Sequence, residues 1–149
     1  MQSIPKWIIW TLLIISLVGF FDATYLTIEH YANAIPPCSI GSCETVLTSQ
    51  YSTIAGIPVA LFGAGYYLAA FLGTAIYIDS KKKIFFNLVR ILVSIGFLAT
   101  LGLVYLQLFV IHAICLYCMG SAASTTILFI TTLFSYGKKN NDTSNEQPA

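Results

Sequence analysis

Four long apolar segments, joined by more polar stretches, make up most of the chain. They cover about residues 7–28, 57–78, 84–111 and 114–136. Each has the roughly 20 apolar residues that an α-helix needs to cross a bilayer. Because the hydrocarbon core offers no water to backbone N–H and C=O groups, such segments cross it as helices. The pattern therefore predicts an all-α integral membrane protein, a four-transmembrane-helix bundle within residues 1–136.

The stretch at residues 29–56 is the one long polar connection between these segments, and we expect it to form an outer loop. From Cys43 onward, apolar side chains such as Val46 recur at helical spacing, which predicts a short helix lying on the end of the bundle. Gly56 and Pro58 are expected to mark the end of that helix and the beginning of the second membrane helix.

The composition agrees with a membrane protein. Of 149 residues, 57% are hydrophobic and only 9% are charged, which is too little polar surface for a water-soluble domain. The formal net charge of +1 excludes a nucleic-acid-binding protein on electrostatic grounds. Lys6 precedes the first apolar segment as in a signal peptide, but the segment is too long for one and no clear cleavage site follows. We expect it to remain as a helix.

The basic residues predict an orientation. All Lys and Arg residues fall on one side of the membrane if the N-terminus is inside, and they are Lys6, Lys81, Lys82, Lys83, Arg90, Lys138 and Lys139. The positive-inside rule makes that side cytoplasmic. The outer loop has no Lys or Arg and therefore faces the opposite compartment. The polar tail at residues 137–149 lacks periodicity, so it is predicted to be disordered in the cytoplasm.

The cysteines lie in the two outward-facing connections. Cys38 and Cys43 are in the outer loop, whereas Cys115 and Cys118 form a Cys-x-x-Cys at the first turn of the last apolar segment. Thiols three positions apart on a helix share one face, and a helix N-terminus favours a thiolate. Disulfides persist on the outer side of a membrane. The sequence therefore predicts that the two pairs are redox-active and exchange electrons.

Such a relay needs a terminal electron acceptor. Exchange between dithiols only redistributes oxidation, so a membrane protein that generates disulfides passes two electrons to something else. A quinone dissolved in the bilayer meets this need. Cys118 lies one turn deeper than Cys115, so it is the better placed of the two to meet a molecule that arrives from the lipid. Cys115 is the better placed to meet the loop.

Other interpretations of the cysteines are weaker. Buried cysteines are often small apolar packing residues, but here all of them cluster in the outward-facing connections. The main alternative is a non-enzymatic tetraspan protein in which all the thiolates bind zinc. The spacing between Cys38 and Cys43 is at the edge of what zinc ligands use, and an oxidising compartment disfavours free thiolates. A structural membrane subunit is a third possibility.

Asp22 is an acid within the first apolar segment, near its outer end. A carboxyl group inside a membrane is costly and is therefore a possible supporting group for function. A position near the lipid headgroups, or a hydrogen bond to the loop above, would explain it equally well.

Several motifs between Asp22 and about Ser124 belong together. They are Asp22-Ala-Thr-Tyr-Leu-Thr-Ile-Glu-His30, the pair Cys38 and Cys43 with Val46, Leu47 and Ser49 following, Gly56-Ile-Pro-Val-Ala-Leu-Phe-Gly63, and Cys115-x-x-Cys118. Together these motifs resemble the vitamin K epoxide reductase family in its stand-alone bacterial form. The Cys-x-x-Cys alone would not be specific.

This resemblance implies a bundle in the bacterial cytoplasmic membrane that encloses a quinone and supports disulfide bond formation. It implies that Cys118 attacks the quinone and that Cys115 is its resolving partner. Cys115 would accept electrons from Cys43, with Cys38 as the entry point. Ser49 matches the loop serine near the active site of the family.

The resemblance also bears on substrates. Many bacterial members carry a fused thioredoxin-like domain after the bundle, whereas this chain ends soon after the fourth segment. We therefore expect a separate DsbA-like or thioredoxin-like partner. The vertebrate branch holds the ring carbonyls with an Asn on the second helix and a Tyr after the Cys-x-x-Cys, but here the second helix has no Asn and Ala122 takes the second place. Ubiquinone or menaquinone is thus expected rather than vitamin K epoxide.

Overall fold

The computed structural model describes residues 4–39 and 41–144, with residues 136–144 as backbone only. Its α-helices are α1 (Lys6–Tyr31), α2 (Cys43–Leu47), α3 (Val59–Ser80), α4 (Lys83–Tyr105) and α5 (Leu116–Ser144). A short π-helix, Leu106–Val110, extends α4, and a two-stranded hairpin, β1 (Thr53–Ile54) and β2 (Ile57–Pro58), precedes α3.

Four helices are long and apolar enough to cross a membrane: Lys6–Tyr31, Val59–Ser80, Lys83–Val110 and Leu116–Ser135. This confirms the predicted all-α membrane bundle, and the predicted short helix in the outer loop is present as α2. The helix α1 packs against α3 and α5, and α4 packs against the same two helices, so the four form a closed ring.

Small residues allow the helices of this ring to approach closely. Gly19 of α1 lies against the ring of Tyr67, and Gly96 of α4 lies against the ring of Tyr66. A side chain at either glycine would overlap the tyrosine that it faces. In membranes, helix association depends on such packing because lipid removes the hydrophobic driving force between helices. The two tyrosines therefore fill the centre of the bundle between α1, α3 and α4.

The connections between the helices place most of the basic residues at one end of the bundle and the cysteines at the other. The turn of Lys81 and Lys82 makes α3 and α4 antiparallel, so this turn and Lys6 lie at one end of the bundle. The outer loop and Cys115 lie at the other end. The helix boundaries thus give the separation of basic residues from cysteines on which the predicted orientation depends.

The hairpin was not predicted from the sequence. Gly56 and Pro58 were expected to end the short helix and begin the next one, but Thr53 pairs with Pro58 around a turn of Ala55 and Gly56. Both turn residues have positive φ, 53° and 81°, which suits the twist of a two-residue hairpin. Pro58 does directly precede α3, as expected for the second membrane helix.

The last helix differs from the prediction at its end. Residues 137–149 were expected to be disordered, yet the backbone of α5 continues as a helix to Ser144, and residues 145–149 lie outside the described part of the chain. Extending a formed helix costs little per residue, and no proline interrupts the sequence between Leu116 and Ser144.

Candidate functional site

The two cysteine pairs meet at one end of the bundle. Cys38 and Cys43 are joined by a disulfide with a Cα–Cα distance of 6.1 Å, and Cys115 and Cys118 are free thiols. Cys43 and Cys115 are both fully buried and belong to one apolar cluster that also contains Val46. Cys38 is only partly buried. The loop pair thus offers one sulfur to the outside and one to the Cys-x-x-Cys.

A short backbone pairing holds the loop on the segment before α5. Gly41 and Cys115 form an isolated antiparallel bridge, and the Ser42 N–H donates to the Ile114 carbonyl oxygen at 2.9 Å. Gly41 has φ of 98°, and a Cβ there would overlap the Ile114 carbonyl oxygen. Only glycine has both the conformational freedom and the small size that this contact requires.

A single glutamine positions the backbone of the inner cysteine pair, Cys115 and Cys118. Gln107 lies in the π-helix, and its side-chain Oε1 accepts a hydrogen bond from the Cys115 N–H at 3.2 Å. Its backbone carbonyl accepts another from the Ala113 N–H at 3.1 Å. Since π-helical turns occur often at functional sites, the local widening at the end of α4 is consistent with a positioning role.

Cys115 directly precedes α5, whose first residue is Leu116, and therefore occupies the N-cap position. The Cys118 thiol is the main cause that lowers the pKa of Cys115 to about 7, through a hydrogen bond to its sulfur. Burial opposes this shift, the backbone N–H groups of Cys118 and Tyr117 support it, and the charge of Asp22 opposes it. Cys115 therefore loses its proton more readily than an ordinary cysteine, and the thiolate is the reactive form.

A cavity of about 760 Å³ lies in the bundle directly beneath the cysteines. All the membrane helices and the loop contribute to its mainly apolar wall, which also contains Asp22, Ser49, Gln107 and Cys118. Cys115 does not line it. A large apolar cavity with a few converging polar groups is typical of a small-molecule site, and Cys118 is the cysteine that faces this one.

Asp22 lies in the wall of the cavity. Its Oδ2 atom is buried and has no hydrogen-bond partner among residues 4–39 and 41–135, so no bond to the outer loop accounts for it. Its charge acts on Cys115. Of the interpretations open from the sequence, the one that makes Asp22 a working group fits this position best.

Ser49 also lines the cavity, but its hydroxyl is already engaged. The Ser49 Oγ–H donates to the Val46 carbonyl oxygen at 2.7 Å, at the end of α2. Its carbonyl oxygen in turn accepts from the Ser52 hydroxyl at 2.8 Å. Ser49 therefore shapes the loop above the cavity, and its oxygen can accept a further hydrogen bond.

Sequence reasoning missed two tyrosines of the cavity wall. The Tyr67 hydroxyl donates to the Ser121 carbonyl oxygen at 2.8 Å and lies 2.9 Å from the Thr125 hydroxyl, which ties α3 to α5. Tyr66 packs edge-on against Tyr67, with ring centroids 5.0 Å apart. The sequence shows a Tyr-Tyr pair within an apolar helix, but not which way either ring points.

The zinc alternative requires free thiolates from both cysteine pairs around one ion. Among the residues that the structure describes, no group of three or more His, Cys, Asp or Glu side chains is arranged to hold a metal ion. The loop pair forms a disulfide and therefore supplies no thiolates.

Comparison with known families gives a match over most of the bundle. The model described as "Vitamin K epoxide reductase family" matches residues 10–133, a range that contains both cysteine pairs and the cavity wall. No curated protein matches the chain.

Proposed function

Because the chain belongs to the vitamin K epoxide reductase family, a group of membrane oxidoreductases, we propose that it oxidises an extracytoplasmic thiol protein and reduces a membrane quinone. The observation that carries this proposal is the position of the two inner cysteines. Cys118 lines the apolar cavity, whereas Cys115 lies outside it and packs with Cys43 of the loop. The pair thus connects the apolar cavity to the loop disulfide.

Electrons enter at Cys38. This sulfur is the less buried one of the loop disulfide, so a thioredoxin-like or DsbA-like protein reaches it first. The thiolate of the partner attacks Cys38 and releases Cys43, and a second partner thiolate completes the exchange. The partner leaves with a disulfide, and the loop holds two thiols.

Transfer to the inner pair proceeds through a mixed disulfide. Once reduced, the Cys43 thiolate attacks Cys115 of the oxidised Cys115–Cys118 pair, which frees Cys118. Cys38 then attacks Cys43 and releases Cys115. A thiol of low pKa leaves faster, and the lowered pKa of Cys115 therefore favours this second step.

Quinone reduction returns the inner pair to a disulfide. The balanced reaction is dithiol plus quinone to disulfide plus quinol, with two electrons and two protons passing to the ring oxygens. Cys118 is the thiol in contact with the cavity, and Cys115 is the nucleophile that closes the disulfide with it. The mainly apolar cavity wall suits a ubiquinone or menaquinone ring.

The proposed activity requires a particular orientation of the protein in the membrane. With both termini in the cytoplasm of a bacterium, the basic residues face inward and both cysteine pairs face the compartment where disulfides form. An impermeant thiol reagent applied to whole cells tests this. It should label Cys38 in the reduced protein, and labelling from the cytoplasmic side alone would contradict the orientation.

The proposed activity is tested with purified, reduced protein and a short-chain ubiquinone. Thiol loss should match quinol formation. Loss of either inner cysteine should abolish quinone reduction with every donor. Cys38→Ala should block reduction driven by a thioredoxin-like donor but leave part of the reduction driven by a small dithiol. Equal losses with both donors in Cys38→Ala would contradict a relay, and absence of quinol in the unaltered protein would overturn the proposed function.

A further inference from the structure

We propose that Gln107 binds a carbonyl oxygen of the quinone through its side-chain amino group. This inference rests on the proposed function, since it assigns a recognition residue within the same cavity. Gln107 is only 5% exposed, and it lines the cavity together with Cys118. It is thus a nearly buried amide beside the thiol that faces the cavity.

The orientation of this amide follows from its neighbour. The backbone N–H of Cys115 is a donor, so the atom that faces it must be the amide oxygen, and Oε1 accepts that hydrogen bond at 3.2 Å. The planar amide then directs its amino group away from Cys115. Among the described residues, this amino group has no hydrogen-bond partner. Gln107 therefore holds two N–H donors without an acceptor.

An amide donor that opens into an apolar cavity finds no acceptor there, and a ligand that supplies an acceptor is favoured. The cavity wall is mainly apolar, so the ligand that fits is neutral and carries an exposed oxygen acceptor. A quinone carbonyl has this chemistry. The same side chain would then hold the Cys115 backbone through its oxygen and the quinone ring through its nitrogen.

Three hydroxyl groups of the cavity wall differ from Gln107 in their contacts. The hydroxyls of Tyr67 and Ser49 already donate to backbone carbonyl oxygens. The Tyr66 hydroxyl is fully buried, lies against Gly96 of α4 and has no hydrogen-bond partner among the described residues. Among these polar groups, Gln107 is the one whose side chain also holds the backbone of Cys115.

Infrared spectroscopy of bound quinone tests the assignment. The probe is a short-chain ubiquinone labelled with ¹³C at its carbonyl carbons, bound to the oxidised full-length protein so that no turnover occurs. One carbonyl band should lie at lower frequency than in lipid, as expected for a hydrogen-bonded carbonyl. In Gln107→Met the band should return toward its position in lipid, and KM for the quinone should rise about tenfold, the effect of losing one hydrogen bond.

Two further variants separate recognition from folding. Gln107→Glu, measured where its carboxyl is ionised, still accepts from the Cys115 N–H but has no donor, so it should also lose the shifted band. Thr131→Val removes a buried hydroxyl of α5 that bonds only within its own helix, and it should leave the band and KM unchanged.

An unchanged carbonyl band in both Gln107 variants would overturn the inference, even if KM rose, because Gln107 would then act only through Cys115. That outcome leaves quinone reduction by the unaltered protein intact. Failure of the unaltered protein to bind or reduce the quinone would instead overturn the proposed function.

Discussion

The backbone N–H of Ser42 donates a hydrogen bond of 2.9 Å to the carbonyl oxygen of Ile114. Each of these residues directly precedes a cysteine, Cys43 in one case and Cys115 in the other. The pairing therefore fixes the register in which the loop meets the start of α5, and it brings the two buried cysteines into one cluster. The proposed relay between the cysteine pairs therefore relies on this register.

Gly41→Ala is predicted to uncouple the two pairs. The new methyl group would overlap the Ile114 carbonyl oxygen, and positive φ costs a non-glycine residue about 1–2 kcal/mol. We expect electron transfer from the loop pair to the inner pair to slow roughly tenfold or more, as measured by stopped-flow quinol formation with a thioredoxin-like donor. Reduction of the inner pair by a small dithiol should change little.

Gly56→Ala is the matched control for this variant. Gly56 also has positive φ, but a Cβ there meets no atom within 4 Å. The backbone strain is thus similar while the clash is absent. If Gly56→Ala slowed transfer as much as Gly41→Ala, the effect would come from loop strain, and the docking contact would not be responsible.

A mixed disulfide between Cys43 and Cys115 should be trapped when Cys38 and Cys118 are both replaced by Ala. Exchange passes through such an intermediate, and neither resolving thiol remains to break it. Proteolysis and mass spectrometry would locate the bond. The variant with Cys38 and Cys115 replaced is the control, and it should form little of the Cys43–Cys118 bond because Cys118 faces the cavity. Free thiols in the first variant under oxidising conditions would refute the relay.

The bundle and its cysteine pairs could be predicted because they depend on properties that are local in sequence. Long apolar runs specify membrane helices, and the Cys-x-x-Cys spacing, with Cys115 directly before α5 and Cys118 in its first turn, brings the two thiols together. The short helix α2 was likewise visible in the apolar residues after Cys43. These elements need no knowledge of which helices are neighbours.

The details of the site depend on contacts between distant segments and could not be predicted in the same way. Gln107 was visible as an amide near the end of an apolar run, but its bond to Cys115 arises from the π-helical turn. The sequence shows that the carboxyl group of Asp22 is costly to place within an apolar segment. Its position in the cavity wall, however, depends on the rotation of α1. The hairpin before α3 was missed because two residues per strand give too short an alternation to recognise.

The titration of Cys115 provides another prediction. In reduced protein with the loop cysteines replaced by Ala, thiolate absorbance should rise with pH around a midpoint of about 7. Cys118→Ala in the same background should raise the pKa of Cys115, because the Cys118 thiol is the largest cause that lowers it. Below the midpoint Cys115 is protonated, so closure of the inner disulfide should slow as pH falls. An unchanged midpoint in Cys118→Ala would contradict this hydrogen bond.

Asp22→Asn is predicted to lower quinone reduction while leaving the protein at least as stable. The Cys118 thiol must lose a proton within an apolar cavity, and Asp22 is a carboxyl group in the wall of that cavity. Loss of a proton acceptor should slow the reaction roughly a hundredfold. The unpartnered carboxyl is costly to bury, so its neutral amide should unfold in detergent at the same temperature or a higher one.

A second measurement distinguishes this role from packing. The charge of Asp22 raises the pKa of Cys115, so its removal in Asp22→Asn should shift the Cys115 titration to lower pH. A purely structural change would not move it in that direction. Asp79→Asn is the matched control, because Asp79 is exposed near the C-terminal end of α3, far from the cysteines. It should alter neither the rate of quinone reduction nor the titration of Cys115. If Asp22→Asn retained full activity and the original Cys115 midpoint, Asp22 would have no part in proton transfer, and another group of the cavity wall would have to accept the thiol proton.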